Sequence, residues 1–455
     1  MQQLMLFPLP LTACVRRFFV TGAFVLMGLC AFAQDPVPVE QTVSLTLSEA
    51  IEQALRQGWD TRKAQKDTEI AQADFARTRA TYLPQVSLSQ TGVFTNSPLQ
   101  AFGILLNQEI VEQADFNPAQ LNDPELATNF NTRLSVQQPI FNADGHYGRK
   151  AAQAQVLARQ MMKTRTEKGL ALQVKQAYFQ LQLTQESQAV LKKAIAAAEA
   201  NEDLTHKNLE QGYVQNADLM LVQLRVLTLK NQLADAENQR ANASDYLAYL
   251  LNLPAGSRIE ATEKLMDSVQ AVVATGEISE QRSDFQAQRY ALRAREQMVL
   301  SYKKGLLPRL NAFGAFELND DIPFGPGASN WMAGFQLQWD IFKGYDRLAN
   351  TQKAQAELDK AHLEYEQSLA QSKVELDKAR RNVQLAAQKL SITELAVKQA
   401  EEALRIRRDR YEEGLEKTSD VLGAEAQVAE KELEYLQNLY AHRMATFYLE
   451  FLLEN

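Results

Sequence analysis

Residue types that build catalytic and metal sites are scarce in this sequence. Its 455 residues include two cysteines and four histidines. The histidines are far apart along the chain and show none of the spacings of metal ligands; they are His146, His206, His362 and His442. No glycine-rich phosphate-binding loop precedes a helical segment. We therefore expect that the protein is not an enzyme and uses no cofactor or metal ion.

Glycine, proline and positive charge are also in short supply. The chain has 19 Gly and 13 Pro, whereas Ala, Gln, Leu and Glu dominate long tracts, a composition that favours helices. The formal net charge is -8 at pH 7, and no basic stripe stands out. This composition argues against nucleic acid as a partner.

The N-terminal segment is typical of an export signal. Two arginines precede an apolar run over residues 18–32, and the small-residue pattern Ala31-Phe32-Ala33 suits signal cleavage. The run is shorter than the roughly 20 residues that a membrane-spanning helix needs. We therefore predict that residues 1–33 are a signal peptide rather than a membrane anchor.

Both cysteines, Cys14 and Cys30, lie inside that segment. Cys30 could instead carry a lipid, but Leu29 before it is a poor residue for lipoprotein processing. Removal of the signal leaves a mature chain without cysteine, which excludes disulfide bonds and thiol chemistry. No later part of the sequence has an apolar run of about 18 residues.

The rest of the sequence contains an internal two-fold repeat. The spacing between matching positions is nearly constant: Ile140 and Ile341 are 201 positions apart, and Gly212 and Gly414 are 202 apart. The matching segments are YLPQVSL with LLPRLNA, LSVQQPIFNADG with FQLQWDIFKG, and LEQGYVQNADLM with YEEGLEKTSDVL.

Each repeat is predicted to run helix, strand, loop, strand, long helix, tight turn and return helix. Repeat 1 covers residues 34–252, repeat 2 covers residues 279–455, and a linker over residues 253–278 joins them. The elements of repeat 1 are a helix at about 48–82, strands at about 85–95 and 132–141, a long helix at about 145–209 and a return helix at about 217–251. The elements of repeat 2 are a helix at about 279–306, strands at about 309–318 and 331–342, a long helix at about 345–413 and a return helix at about 419–453.

The four predicted strands each have one apolar and one polar face. In the last of them, alternate residues are apolar, and we expect four to face lipid: Trp331, Phe335, Leu337 and Trp339. About ten residues per strand is typical of a tilted membrane-crossing strand, although a small soluble sheet on a core would show the same alternation. Four strands cannot close a membrane barrel, since the smallest use about eight. If the strands face lipid, several copies must therefore combine them.

The long helices carry a seven-residue repeat. In repeat 2 the series is Leu369, Leu376, Val383, Leu390, Val397, Leu404 and Tyr411, with mostly small residues three positions later. This pattern predicts a closely packed coiled-coil partner, and the additional row Leu385, Ile392 and Ile406 predicts a second neighbour. The long helices reach roughly 100 Å at 1.5 Å per residue. Because each shorter helix covers only half of that length, we expect two of them to stack end to end beside each long one.

With these motifs in this order, the sequence resembles the outer-membrane efflux protein (TolC-like) family from about Leu45 to Leu453. The resemblance implies a mainly α fold with a membrane β-barrel: a homotrimer in the outer membrane of a Gram-negative bacterium, whose twelve-stranded barrel takes four strands per chain. Long antiparallel helices continue it as a periplasmic α-barrel. The implied function is a passive exit duct of a tripartite efflux or type I secretion system. Its implied partners are an inner-membrane transporter, a periplasmic adaptor (membrane fusion protein) and outer-membrane lipid. A soluble periplasmic coiled-coil scaffold or adaptor is the alternative.

The resemblance also assigns sites to the turns between long and return helices. It places a periplasmic gate at Asp420, with Thr418 and Glu416 beside it, where three acidic residues would meet in a trimer. Helix capping is the alternative explanation, with Gly414 as a helix stop, Thr418 as an N-cap and Asp420 near the positive end of the helix dipole. The adaptor-docking turns would be formed by Gly212, Tyr213, Gly414 and Leu415, although any turn of this kind needs such glycines.

Two further features allow two interpretations each. Four arginines crowd the end of the long helix of repeat 2, where cations suit the helix dipole; they are Arg405, Arg407, Arg408 and Arg410. Alternatively, they form ion pairs between neighbouring helices. The loop over residues 96–131 has no counterpart of similar length in repeat 2, and it is either an ordinary external loop or a cap on the barrel.

Overall fold

The computed structural model describes residues 42–263, 265 and 276–454. The predicted signal peptide over residues 1–33, with Cys14 and Cys30, lies outside the described residues, as does much of the predicted linker.

The elements follow each other in a similar order in the two halves of the chain. The first half runs β1 (Thr42–Leu45), α1 (Leu47–Gln57), α2 (Trp59–Arg77), a short 3-10 helix (Thr78–Thr81), β2 (Gln85–Thr95), α3 (Pro98–Asn107), a second 3-10 helix (Gln113–Phe116), α4 (Pro118–Asn122), β3 (Ala127–Phe141), α5 (Ala143–Glu210) and α6 (Asn216–Leu250). The second half runs β4 (Arg258–Ala261), α7 (Ser283–Lys304), β5 (Arg309–Asp320), β6 (Ala328–Gln338), α8 (Asp346–Glu412) and α9 (Thr418–Leu453).

The first helix of repeat 1 is not continuous, contrary to the sequence prediction. Gly58 separates α1 from α2 with an extended backbone, at φ -59° and ψ 144°. A Cβ atom at this position would lie 2.4 Å from the carbonyl oxygen of Ala54, so only glycine fits. The chain takes this extended conformation at Gly58, and the helix therefore breaks there.

Two strands also differ from their predicted bounds. β3 begins at Ala127 rather than near residue 132, because it pairs with β2 along the whole length of that strand. β6 ends at Gln338, which pairs with Arg309, the first residue of β5. Trp339 therefore lies outside the strand, contrary to its assignment to a lipid-facing strand, and its indole N–H donates to the carbonyl of Leu306 at 3.0 Å.

The four longer strands form one antiparallel sheet in the order β2-β3-β5-β6. One row of paired residues crosses all four strands and is apolar throughout: Leu88, Leu134, Phe316 and Trp331. On this face Trp331 is 78 % exposed and Phe335 is 76 % exposed. The next row, on the other face, begins with Ser87 and Ser135, whose hydroxyl oxygens are 2.7 Å apart. The sheet thus has one exposed apolar face and one polar face.

The helices form a layer in which each long helix packs beside shorter ones. α5 has 68 residues, which corresponds to roughly 100 Å at 1.5 Å per residue, and α8 has 67. α5 packs against α1, α2, α6, α7 and α9, and α8 packs against α7 and α9. The largest hydrophobic core lies where α1, α5, α6 and α9 meet the small parallel pair of β1 and β4. Tyr178 is fully buried there, and its hydroxyl donates to the carbonyl of Leu45 at 2.9 Å.

Two helix joints hold the shorter helices end to end. Asn252 follows α6, has φ +53°, and donates through Nδ2 to the carbonyl of Gln57 at the end of α1, at 3.2 Å. Glu454 follows α9, has φ +54°, and accepts from the backbone N–H of Ser283 at the start of α7, at 2.9 Å. We call these the α6–α1 joint and the α9–α7 joint.

On α8 the residues of the seven-residue repeat face the neighbouring helices. Leu376 and Ala379 are buried in a cluster with the end of α9. The additional row of Leu385, Ile392 and Ile406 remains exposed in the single chain. Within the part of the chain that the structure describes, no helix has both the length and the apolar character required to cross a membrane.

Candidate functional site

The candidate site lies at the turns of two helical hairpins: hairpin 1 (α5 and α6) and hairpin 2 (α8 and α9). Both turns have the same backbone. Gly212 (φ +78°) and Gly414 (φ +71°) end the long helices in the left-handed region, which glycine adopts without steric cost. The N–H of Tyr213 then donates to the carbonyl of Asn208 at 2.8 Å, and that of Leu415 donates to Arg410 at 2.9 Å. This pattern is the Schellman motif, which satisfies helix carbonyls that would otherwise be unpaired.

Each turn exposes one large side chain directly after its glycine. Tyr213 is 77 % exposed and Leu415 is 62 % exposed. A residue at this position of a Schellman motif often packs back on its own helix. Here both side chains are largely in solvent, so the two hairpin ends offer an aromatic and an aliphatic group for contact with another molecule.

Glu416 ties the turn of hairpin 2 to the end of α8. Its carboxylate accepts from Nη1 of Arg407 and from Nε of Arg410, both at 3.0 Å. The Glu416 side chain is largely buried by these contacts. Both of its oxygens are therefore engaged within its own chain, a geometry that the sequence did not reveal.

Thr418 is the first residue of α9 and is buried, so it is not the N-cap that the sequence suggested. Lys417 occupies the N-cap position and makes no side-chain capping hydrogen bond. The Thr418 hydroxyl lies 3.4 Å from the hydroxyl of Tyr411, across the turn. The N-cap lies one residue earlier than predicted, at Lys417, because the helix already begins at Thr418.

Asp218 and Asp420 occupy matching positions but have different contacts. The Asp218 carboxylate accepts from the backbone N–H of Gln215 at 3.0 Å and completes a capping box at the start of α6. The Asp420 carboxylate makes no such contact; its one described partner is the hydroxyl of the adjacent Ser419, at 3.4 Å. No cation pairs with Asp420 among the residues that the structure describes. Capping thus accounts for Asp218 and leaves Asp420 without a cap-forming role.

Ion pairs link helices just inside the turns. Arg408 on α8 donates to Glu425 on α9 at 3.0 Å, and Lys193 on α5 donates to Glu432 on α9 at 2.8 Å. The hydrogen bond to Glu432 raises the pKa of Lys193. Partial burial lowers the pKa of Arg225 on α6, and the charge of nearby Glu425 opposes that effect. Arg408 therefore links the two helices of hairpin 2, whereas Lys193 connects hairpin 1 to hairpin 2.

The four arginines of the cluster have different partners. Arg405 pairs only with neighbours on its own helix, Glu402 and Asp409. Arg408 reaches Glu425 on the return helix, as the ion-pair interpretation proposed, whereas Arg407 and Arg410 reach Glu416 in the turn. The sequence alone did not identify Glu425 and Glu432 as partners of Arg408 and Lys193. They lie seven positions apart on α9. Among the described residues no group of three or more His, Cys, Asp or Glu side chains could hold a metal ion.

The structure thus combines a sheet that has one exposed apolar face with two long helical hairpins. The sequence matches the family described as outer membrane efflux protein over residues 50–253 and 275–453. These segments cover most of the chain, and the chain therefore belongs to the outer membrane efflux protein family. A search of curated protein sequences gives no significant match.

Solved structures of low sequence identity share this fold. A membrane protein from Pseudomonas aeruginosa aligns over 90 % of this chain and 92 % of its own, with a TM-score of 0.77 and 20 % identity. The open state of the MtrE outer membrane channel of Neisseria gonorrhoeae aligns over 90 % and 88 %, with a TM-score of 0.74 and 18 % identity. The outer membrane protein VceC of Vibrio cholerae aligns over 90 % and 95 %, with a TM-score of 0.72 and 18 % identity.

Family and fold agree on the class of protein. The chain is an outer-membrane efflux channel of a Gram-negative bacterium, with the mainly helical, TolC-like fold that the sequence predicted. Neither the family match nor the similar solved structures support a soluble periplasmic scaffold.

Proposed function

We propose that three copies of this chain form one exit duct, with a twelve-stranded barrel in the outer membrane and a helical tunnel in the periplasm. The observation that carries the proposal is that the sheet and the helical layer both end in open edges. β2 pairs only with β3, and β6 pairs only with β5, among the described residues. An unpaired strand edge in lipid costs several kcal/mol per backbone group, so the edges of neighbouring copies must pair.

The helical layer near the turns ends in apolar edges. Its order is α6, α5, α9, α8, because α6 packs on α5, α5 on α9 and α9 on α8. Large apolar side chains are exposed on both outer helices; they are Leu221, Leu224 and Leu227 on α6 and Leu385, Ile392, Leu395 and Ile406 on α8. Contiguous exposed apolar rows of this kind mark interaction surfaces. Contact of α6 with α8 of the next copy would cover both rows and close a ring.

The exposed apolar face of the sheet suits contact with outer-membrane lipid. Trp331, Phe335 and Leu337 form an exposed row on the edge strand β6. Trp339, just beyond the strand, carries an indole that is exposed and hydrogen-bonded at its N–H, which suits the membrane–water boundary, where Trp is enriched. With this face in lipid, the polar face lines the duct.

At the other end, Asp420 is proposed to form the periplasmic gate. In a three-fold assembly three copies of this partly exposed carboxylate come together, and like charges in proximity favour bound cations over anions. Glu416 and Thr418 would hold the turn that carries Asp420, through the contacts with Arg407, Arg410 and Tyr411 described above.

Export also needs partners, and the hairpin turns are the proposed place for them. Gly212 with Tyr213, and Gly414 with Leu415, give six exposed turns in a trimer, each with a large side chain at its tip. A periplasmic adaptor would dock on these turns and connect the duct to an inner-membrane transporter that supplies the energy. The duct itself would act passively, without catalysis.

Paired cysteines would test the assembly. At similar distances from the turns, Leu224 on α6 and Ile406 on α8 lie on opposite edges of the layer. The Leu224→Cys, Ile406→Cys double variant should therefore give disulfide-linked trimers in outer-membrane fractions, visible by non-reducing electrophoresis. Each single variant is the matched control and should stay monomeric. A double variant that remains a monomer, or a protein that carbonate washing releases from membranes, would refute the trimeric duct.

A further inference from the structure

Residues 96–126, the outer insertion, connect β2 to β3 at the end of the sheet opposite the long helices. The corresponding connection between β5 and β6 needs only residues 321–327. The insertion is folded rather than extended. It contains α3, a 3-10 helix and α4, and the rings of Phe102 and Phe116 pack edge to face with centroids 5.6 Å apart.

Contacts on the polar side of the sheet anchor α3. Gln108, just after α3, donates through Nε2 to the carbonyl of Thr128 at 2.8 Å and to Oδ1 of Asn129 at 2.9 Å. Asn129 in turn donates to the side chain of Asn319 at 2.9 Å. These asparagines are only 6 % and 1 % exposed. The insertion thus lies over the face of the sheet that lines the proposed duct.

The strand register agrees with this position of the outer insertion. Asn129 and Arg133 share a face of β3 because side chains alternate along a strand, and Arg133 pairs with Glu317 across the sheet at 3.3 Å. Phe130 lies on the opposite, apolar face, where its ring packs against Phe94 at 5.7 Å. Gln108 therefore holds the insertion on the polar face, away from the face proposed to contact lipid.

The free surface of α3 is apolar, although it lies on a polar face. No residue from Pro98 to Asn107 is charged. Ala101 and Ile104 are buried on one side of the helix, whereas Leu99 is 84 % exposed and Leu106 is 52 % exposed on the other. Gly103 lies between these leucines on the same side, because residues three and four apart share a helix face. This surface, Leu99, Gly103 and Leu106, we call the outer leucine face.

We propose that the outer leucine faces of three copies contact one another and close the outer mouth of the duct. Lipid cannot cover this face, since α3 lies on the other side of the sheet, and within the described chain no other segment covers it. Three copies around one axis bring three such helices to the mouth, and burying the leucines removes apolar surface from water. An apolar constriction of this kind blocks water and ions without charged groups. The inference rests on the proposed trimer.

Cysteine cross-linking tests the contact. Leu99→Cys and Leu106→Cys, made separately, should each give disulfide-linked dimers under mild oxidation, because a three-fold contact pairs two thiols and leaves the third free. Leu88→Cys, on the apolar face of β2, is the control and should give none. If neither α3 variant cross-links while the Leu224→Cys, Ile406→Cys variant forms trimers, the seal is refuted and the duct stands. If that double variant also stays monomeric, the proposed duct itself fails.

Access from outside the cell tests the closure. Gln137→Cys places a thiol on the polar face of β3, below the insertion, and a membrane-impermeant maleimide carrying a polymer chain should not reach it from outside. Adding Gly103→Glu should permit labelling, because three like charges would force the outer leucine faces apart. A Cβ atom at Gly103 meets nothing within 4 Å, so the backbone position has room for a side chain.

The matched control for that experiment is Gln120→Glu on α4, which adds the same charge to the same insertion away from the outer leucine face. We expect labelling of Gln137→Cys to rise several-fold with Gly103→Glu and to stay at background with Gln120→Glu. Equal labelling in all three proteins, or an equal rise with both glutamates, would overturn the proposed closure.

Discussion

The two halves of the chain share the backbone conformation of their hairpin turns and helix joints but differ in the side chains that hold them. At the hairpin turns, Gly212 and Gly414 both adopt the left-handed conformation. At the helix joints, Asn252 and Glu454 do so as well. Yet the α6–α1 joint is formed by an amide that donates to a carbonyl, whereas the α9–α7 joint is formed by a carboxylate.

Backbone geometry and electrostatics thus vary independently between the two halves. A left-handed residue commonly ends a helix where the chain turns away, and both halves have one at these positions. The groups that hold the ends together are free to change. The second half contains the ionic contacts of Glu416 and Glu454. In that half Asp420 does not have the capping role that Asp218 has in the first half.

The largest difference between the halves is expected at the joints. Besides Ser283, Glu454 contacts Lys168 at 3.0 Å and Arg165 at 3.5 Å. Glu454→Gln removes the charge that holds these cations and should lower the free energy of unfolding by about 1–3 kcal/mol. Asn252→Ala removes one neutral hydrogen bond and should cost about 0.5–1.5 kcal/mol. Urea unfolding in detergent measures both; equal losses would show that the two joints are energetically alike.

The pH dependence of stability gives a second comparison of the two helix joints. Burial by itself raises the pKa of Glu454, but the hydrogen bonds from Ser283 and Lys168 outweigh it and leave the pKa below the ordinary 4.5. A lowered pKa in the folded state stabilises the protein fully above about pH 4.5, and this stabilisation is lost as the pH falls toward the folded value.

We therefore expect the melting temperatures of the parent and Glu454→Gln proteins to differ at pH 7 and to converge in acid, as the pH falls through the lowered pKa of Glu454. Asn252→Ala should stay separated from the parent at both pH values, because an amide does not titrate there. A gap for Glu454→Gln that persists unchanged in acid would mean that its carboxylate does not carry the effect.

The turns should respond equally, because their backbones are the same. Gly212→Ala and Gly414→Ala each force a side chain into the left-handed region and should cost about 1–2 kcal/mol. Gly423 on α9 is the control: a Cβ atom there meets nothing within 4 Å, and Gly423→Ala should stabilise the protein by about 0.5–1 kcal/mol. Thermal melts would measure all three. A neutral result at one turn alone would contradict the shared geometry.

The smallest effects on stability are expected for the two aspartates. Asp218→Asn weakens a capping contact and should cost about 0.3–1 kcal/mol, with no change in ion selectivity. Asp420→Asn removes only a favourable charge near the positive end of the helix dipole, should cost no more than about 0.3–1 kcal/mol, and should reduce cation preference, measured as the reversal potential in a salt gradient across a planar bilayer. The opposite assignment, with selectivity changed only by Asp218→Asn, would place the gate in hairpin 1.

Short-range sequence patterns predicted the helices and strands well. The errors lie where contacts between residues far apart in the chain set the structure. The alternation from Trp331 predicted a strand, but its end at Gln338 depends on where β5 begins, which the strand's own residues do not encode. The left-handed glycines of the turns were readable, since few other residues end a helix in this way. The helix lengths predicted that the shorter helices stack end to end, but the contact that forms the α9–α7 joint was not readable, because Glu454 and Ser283 are 171 positions apart and neither has a neighbouring sequence signal.

The two-faced strands, the long helices and the positions of the turns follow from local sequence, because each depends on side-chain periodicity or on one glycine. Three features depend instead on the folded arrangement: which charges meet, which aspartate is free of capping, and on which face of the sheet the outer insertion lies. Those contacts depend on the packing of elements far apart in the chain, and the local sequence carries no record of which elements will become neighbours.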